Sequence, residues 1–381
     1  MGQQMQIMSK FRHFHLLHIL TQFQDQHLPI DVFLKKYLKN NTSIGSHDRK
    51  YLAESVYTFI RWKGLLFSLY GTLPLQDLIP LLDQFNPEDH QNKKDLSLHD
   101  QLSFPENYIT YLIQELGIEK TKEFCLASNT QAPTTLRTNA LKTSRDELFD
   151  LLKKNHQVTL GQHSSLAIHF EKKTNFLVLP EFKEGLFEVQ DEGSQLLALQ
   201  VQLKPGDHFL DFCAGSGGKT LAIAPQTQGK GQIYLHDIRP RALLEAKKRL
   251  QRAGIQNAQI AAPDSPSLKT LKHRMDWILV DAPCSGSGTL RRNPDMKWRF
   301  SLEELEETIA LQKTIFSNAL NFLKPGGYIV YATCSVFPRE NDLQIQYFLQ
   351  NFPLTLVGSP FSSFPKIGGM DGFYAAVLQK C

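Results

Sequence analysis

The chain has 381 residues, of which 21% are charged; its 42 Lys and Arg stand against 38 Asp and Glu, a formal charge of +4. That length accommodates two or three domains with real cores, and basic residues scattered rather than in one block permit nucleic-acid binding without requiring it. No apolar run approaches a membrane span, and the first residues lack the shape of a secretion signal, so a cytoplasmic protein without membrane association is expected.

Residues 1 to about 69 read as helical. Leu16, Leu17, Leu20 and Phe23 fall on one segment and Val32, Phe33 and Tyr37 on another. After the turn at Asn40–Gly45, Ser46 is placed to cap a longer helix in which Leu52, Val56 and Phe59 recur at helical spacing. His13, His15 and His18 have no acidic or Cys partners in sequence and read as surface or packing residues. Phe85–Leu98 reads as an exposed connection, followed by a helix over Pro105–Leu116. A boundary falls near Asn129–Pro133. Beyond it, strand-like segments at Thr134–Asn139, Leu166–Phe170 and Asn175–Leu179 surround a helix over Ser144–Lys154 with Leu148, Leu151 and Leu152 inward, forming a small α/β module. Arg137, Asn139 and Lys142 on its edge have two readings, contact with phosphate and sugar or a plain solvated face.

The stretch Asp207–Thr220, DHFLDFCAGSGGKT, organises the remainder. A strand over Phe209–Phe212 runs into a loop with Gly215, Gly217 and Gly218, where glycine allows a tight turn and close backbone approach to a ligand. The G-x-G-G spacing is neither standard phosphate signature, and the dinucleotide fingerprint is the nearest template. A second strand, Gln232–His236, delivers Asp237 about 20 residues beyond the first loop glycine, where such folds place a ribose-binding carboxylate. A helix over Arg241–Ala253 leads to a third strand end at Ala261–Asp264. Trp277–Val280 then ends in Asp281-Ala282-Pro283-Cys284-Ser285-Gly286. The basic segment Ser285–Pro294 and Trp298 precede a long helix carrying Leu302, Leu305, Ile309, Phe316, Ala319 and Leu323. Pro325-Gly326-Gly327 stops that helix and launches the strand Tyr328–Ala332, which ends in Thr333-Cys334-Ser335. Strands alternating with helices in this way predict an α/β fold with a parallel doubly wound sheet and a ligand crevice at its carboxyl edge.

Five widely spaced cysteines, with no C-x-x-C and no His pair at zinc spacing, indicate neither a disulfide framework nor a metal site. Cys125 and Cys213 fit small buried hydrophobes. Cys284 and Cys334 instead sit in loops that converge on one crevice. A thiolate beside a nucleoside-type cofactor suits methylation of a pyrimidine at carbon 5, because addition at carbon 6 makes carbon 5 nucleophilic. Asp281 is placed to hydrogen-bond the pyrimidine edge. The residues alone do not decide which cysteine attacks.

The set Cys213-Ala214-Gly215-Ser216-Gly217-Gly218-Lys219-Thr220, Asp281–Gly286, Arg292-Asn293-Pro294-Asp295 and Thr333-Cys334-Ser335 with Glu340-Asn341 resembles the Sun/nucleolar-protein family of S-adenosylmethionine-dependent RNA cytosine-5 methyltransferases. Ile44–Arg49 is similar to the NusB-like domain of members that act on bacterial 16S ribosomal RNA, Pro133–Lys142 to the family's small RNA-binding module, and Asp371-Gly372-Phe373 to its closing strand. The resemblance implies a Rossmann-like class I methyltransferase sheet over residues 181–381, a helical NusB-like domain over 1–128 and the small α/β module over 129–180. It further implies Cys334 as nucleophile and Cys284 as the cysteine that helps the product leave, with Asp281 facing the reacting centre. Cys213, Ala214, Gly215, Ser216, Gly217, Gly218 and Lys219 would line S-adenosylmethionine, Asp237 hold its ribose, and Asp264 lie near its adenine. Ser216 stands where the family commonly has proline, which restores an N–H and loosens the loop. The expected partner is RNA, ribosomal RNA first, acted on by a monomer without a metal. Transfer RNA methylation and a non-catalytic RNA-binding assembly factor are the alternatives.

Overall fold

The computed structural model describes residues 2–24, 28–71, 73–90, 93–172, 174–263 and 265–381. They divide into two units, Met1–Gln131 with Leu290–Ser301 and Ala132–Thr289 with Leu302–Cys381.

In the first unit, helices Gly2–Gln24, Ile30–Asn40, Ser46–Tyr70 and Leu75–Leu82 bury one apolar stripe each. Leu16, Leu20, Leu52, Val56, Phe59, Leu65 and Leu78 lose nearly all contact with solvent. Phe33 and Tyr37 are buried as expected, together with Leu34, whereas Val32, also expected inward, is exposed. Ser46 does not cap its helix but begins it. Gly45 holds the preceding position and no side chain caps the end. His15 is buried against the Tyr37 hydroxyl at 2.8 Å, and His13 does have an acidic partner, Asp83 at 3.0 Å, brought in by the fold from 70 residues away.

The long helix Ser46–Tyr70 breaks at Trp62, whose φ of −111° and ψ of 16° leave the helical region. A break in the i to i−4 ladder orphans backbone groups, which need other partners when buried. Here the N–H groups of Gly64 and Leu65 donate to Ser103 Oγ at 3.0 and 3.3 Å. The carbonyls they would have met in a continuous helix, those of Ile60 and Arg61, accept from Trp298 Nε1 and Lys297 Nζ, both at 2.7 Å. Segment Leu290–Ser301 is thus held by the helices through side chains that replace the missing ladder. Phe300 adds a stack on Tyr108 with ring centroids 4.1 Å apart.

The second unit holds two sheets. The smaller is antiparallel, built from β1 (Thr134–Thr138), β2 (Val158–Leu160), β3 (Ala167–Phe170) and β4 (Phe187–Val189) in the order β2-β3-β1-β4. The helix Arg145–Lys153, closed by a Ser144/Glu147 capping box, covers it with Leu148 and Leu152. Leu151, expected inward, is 37% exposed. Asn175–Leu179 is not a strand: Phe176–Val178 forms a 3-10 turn started by the Asn175 side chain. The strand that completes the sheet, β4, lies beyond the boundary expected at residue 180.

The larger sheet has seven strands, β5 (His208–Asp211), β6 (Gln232–Leu235), β7 (Ala258–Ile260), β8 (Met275–Asp281), β9 (Leu323–Thr333), β10 (Leu354–Ser363) and β11 (Phe373–Lys380), in the order β10-β11-β9-β8-β5-β6-β7. The expected parallel core is present from β7 to β9, and β10 and β11 close one edge antiparallel. Buried apolar residues cover both faces, as a sheet flanked by helices requires. Leu305, Ile309, Phe316 and Ala319 of the helix Leu302–Leu320 are buried, whereas Leu302 at its first position is exposed. Pro325-Gly326-Gly327 is not the turn before β9. The strand starts at Leu323 and its register against β8 shifts there. Chain order reverses between β5 and β8, so the crevice at their carboxyl ends is the topological switch point where such sheets bind ligands.

Candidate active site

β5 ends at Asp211, and the loop beyond it turns through Gly215 and Gly217, whose φ angles of +53° and +78° favour glycine. A side chain at Gly217 would also press on Ala246 at 3.2 Å. Gly218 bears neither constraint; it opens the six-residue helix Gly218–Ile223. Ser216 is less free than its replacement of proline implied, because Arg249 Nη1 donates to its carbonyl at 3.0 Å and its hydroxyl at 2.7 Å.

A cavity of about 630 Å³ opens over this loop, lined by Cys213 to Ser216, Gly218, Lys219, Asp237, Asp281 and Pro283. Asp237 Oδ2 accepts the Gly215 N–H at 2.8 Å, and Arg239 chelates both carboxylate oxygens. Burial opposes its charge, yet these donors hold its carboxyl below the ordinary range. Lys219 reaches across to donate to Asp281. Burial works against the ammonium, but Asp281, Cys334 and Asp211 outweigh it and keep Lys219 cationic.

Asp211 lines the same cavity and was passed over in the sequence, where it falls inside the expected strand Phe209–Phe212. It is 1% exposed. Thr220 donates to its Oδ2 at 2.6 Å, and its Oδ1 has no partner among the described residues. Burial drives its carboxyl up to about 7, with the Thr220 hydrogen bond opposing. Three carboxylates facing one cavity, one of them with an unmatched oxygen, suit a ligand that carries positive charge.

The loops after β8 and β9 bring Cys284 and Cys334 together, with sulfur atoms 3.3 Å apart. Contact with Cys334, then burial, then the Glu340 charge push the Cys284 thiol well up. Glu340 is fully buried and accepts from Ser285 N at 2.8 Å, Ser285 Oγ at 2.5 Å and Gln312 Nε2 at 2.9 Å. Asn341 accepts from Thr333 Oγ1 at 2.6 Å and donates to the Ser335 carbonyl at 2.9 Å. Both cysteine loops are therefore tied by one buried polar network. Gly288 is required beside them: a Cβ there would lie 2.2 Å from the Gly372 carbonyl.

Other expectations meet a different outcome. Asp264 lies outside the described residues. Arg137 and Asn139 are buried rather than part of a solvated edge, while Lys142 is exposed. Arg137 donates to Gln190 and the Gly218 carbonyl, Asn139 to the carbonyls of Gly185 and Ala253, and Lys142 to those of Glu184 and Arg252. Periodicity could not reveal this, since every partner except Gln190 is a backbone carbonyl and all lie distant in sequence. Among the described residues no cluster of three or more His, Cys, Asp or Glu forms a metal site, and no single helix is long and apolar enough to cross a membrane.

The profile described as 16S rRNA methyltransferase RsmB/F matches residues 198–379, and that of the RsmF/B-like ferredoxin-like domain matches residues 104–176. The chain is 36% identical over 283 residues to ribosomal RNA small subunit methyltransferase B of Vibrio vulnificus, covering 72% of this chain and 66% of that protein, just under two thirds of its length. It is 34% identical over 309 residues to the probable ribosomal RNA small subunit methyltransferase B of Synechocystis, covering 76% of this chain and 69% of that protein. Among solved structures, a methyltransferase homolog protein from Pyrococcus horikoshii is 27% identical, with a TM-score of 0.66, over 74% of this chain and 97% of that one.

Proposed function

The chain belongs to the RsmB/F family of 16S rRNA methyltransferases, and from that premise we propose that it methylates carbon 5 of a cytosine in 16S ribosomal RNA through a covalent bond from Cys334 to carbon 6. The observation that carries this reading is the contact of Cys284 with Cys334 in loops adjoining a cavity of three carboxylates.

The cavity fits S-adenosylmethionine. Its unmatched Asp211 oxygen and its carboxylates suit a ligand bearing a sulfonium and an ammonium, and Asp237 sits where ribose hydroxyls are held, sharing its oxygens with Arg239. Gly215 to Gly218 let the backbone come close. The bound donor supplies an electrophilic methyl group.

Cys334 acts as a thiolate, and its charge is among those that keep Lys219 cationic. That thiolate adds to carbon 6, and the electron pair of the 5,6 double bond shifts toward the ring nitrogen, where a proton is taken up; Asp281, held by Lys219, orients that edge. Once carbon 5 is methylated, its proton must leave. Cys284 Sγ is the adjacent acceptor, the electron pair left behind re-forms the 5,6 double bond and expels Cys334 as a thiolate, and the ring nitrogen gives back the proton it had taken up. Bonding Cys334 to carbon 6 removes the thiol contact that is the first influence raising Cys284, while burial and Glu340 still act on it. The target base must leave its stack to reach this crevice.

Cys334→Ala is expected to abolish methyl transfer, by at least about a thousandfold given the loss of a covalent route. Cys284→Ala is expected to accumulate a protein–RNA adduct that survives denaturation. A Cys284→Ala protein that turns over freely with no adduct, or an active Cys334→Ala protein, would sink the assignment. Label appearing in transfer RNA rather than 16S RNA, when both are offered unmodified, would redirect the substrate.

A further inference from the structure

Ser216 and Gly218 line the cavity, and the loop they belong to is gripped by a polar and charged cluster of which Gln190, Ser194 and Arg249 line the cavity too. Arg137 of β1 is 3% exposed and does not line the cavity. Its Nη1 donates to the Gly218 carbonyl at 3.0 Å and to Gln190 Oε1. Gln190 Nε2 donates to the same carbonyl at 3.3 Å and to Ser194 Oγ at 3.2 Å. Arg249 takes the Ser216 carbonyl and hydroxyl, and reaches Glu188 at 3.0 Å. Glu188 stands directly opposite Arg137 in the β1–β4 register and also accepts from Arg252. One buried carboxylate thus joins the arginines that hold the loop.

We propose that Arg137 is a positioning residue of the donor site: with Gln190 and the Glu188–Arg249 pair it fixes the backbone of Ser216–Gly218, so the small sheet sets the affinity for S-adenosylmethionine. The inference rests on the donor-site reading above. Its physical basis is that a guanidinium removed from water holds a carbonyl more stiffly than a neutral donor does, and a loop already in its binding conformation spends less free energy on ordering when ligand arrives. An RNA-contact role for Arg137 has a different geometry, since its side chain is almost wholly covered and its donors point to the loop.

The two roles separate by measurement on the full chain. Arg137→Met leaves Glu188 paired with Arg249 and Arg252, so no buried charge is stranded and folding should survive; a thermal melt without donor checks this. The dissociation constant for S-adenosylmethionine should rise about tenfold or more, the scale of one lost charge-assisted hydrogen bond. Affinity for 16S RNA should stay unchanged, and KM for the donor should rise more than kcat falls. Arg137→Lys, which keeps the charge and loses the forked donor, should lie between, and it keeps the test open if the Met variant unfolds. Unchanged donor affinity in folded variants, or a loss confined to RNA affinity, would overturn the assignment. Wild-type protein that binds no S-adenosylmethionine would overturn the donor site itself, and this inference with it.

Discussion

At the scale of single residues, environment rather than identity separates the acidic groups around the cavity. Asp211 and Asp237 are both aspartates at parallel strand ends, yet one is pushed up to about 7 and the other held below the ordinary range. Burial raises both, and donors decide which way each ends: Asp237 receives Arg239 and the Gly215 N–H, Asp211 only a hydroxyl. The consequence is a pH dependence of stability with a definite sign. A carboxyl raised in the folded state binds more protons there than when unfolded, so its contribution falls as pH climbs from about 4 to about 7. Asp211→Asn, of the same shape and able to keep the Thr220 hydrogen bond, should therefore gain stability relative to the parent above pH 7, by at most about 4 kcal/mol, and match it near pH 4. Melting curves of both proteins across that range check this; a difference that does not change with pH would refute it. The signal for Asp211 was present in the sequence, but a polar residue inside an expected strand shows neither its burial nor its unmatched oxygen.

At the scale of elements, periodicity located several helices and strands within a residue or two, among them Glu106–Leu116, Arg145–Lys153, β1 and β6, because the apolar face of each repeats regardless of what it meets; it did not find Leu75–Leu82, Ile118–Ser128, β2 or β10. It failed where a distant partner decides the outcome. The break at Trp62 is one such place: Gly64, two residues on, weakens the helix, but the ladder gives way where Ser103, Lys297 and Trp298 offer substitutes. Ser103→Ala removes the acceptor of two N–H groups and should cost the helical unit about 1–3 kcal/mol. Hydrogen exchange at Gly64 and Leu65 should accelerate accordingly; unchanged protection would show that another group accepts them. Glu340 behaves likewise. Its place in a motif is visible, but its three donors come from the β8 loop and the helix Leu302–Leu320. Glu340→Ala should loosen the Cys284 loop and lower kcat by about tenfold or more, while Glu340→Gln, which still accepts the Ser285 N–H, should lose less. Single-turnover kinetics distinguishes the two, and equal losses would argue against a positioning role.

At the scale of the whole chain, every donor-site side chain named here belongs to the unit Ala132–Thr289 with Leu302–Cys381. S-adenosylmethionine at a hundred times its dissociation constant should therefore stabilise that unit by about 2.7 kcal/mol, a melting shift of roughly 5 to 10 °C. No shift in calorimetry would refute donor binding. The segment Leu290–Ser301 leaves this unit six residues after Cys284 and packs with the helices, a detour that its basic, Pro-containing sequence does not announce. What the sequence determined by itself was the local grammar: helix stripes, glycine turns, strand ends bearing Asp237 and Asp281, and two cysteines in corresponding loops. These follow from short-range sterics and the burial of apolar faces, which a linear pattern records. Only the tertiary structure decided that the two sulfur atoms touch, that Arg137 turns inward to hold the glycine loop, and that Arg249 steadies Ser216. Such pairings depend on which surfaces exclude water together, and residues far apart in the chain carry no mark of that until the sheets and helices have packed.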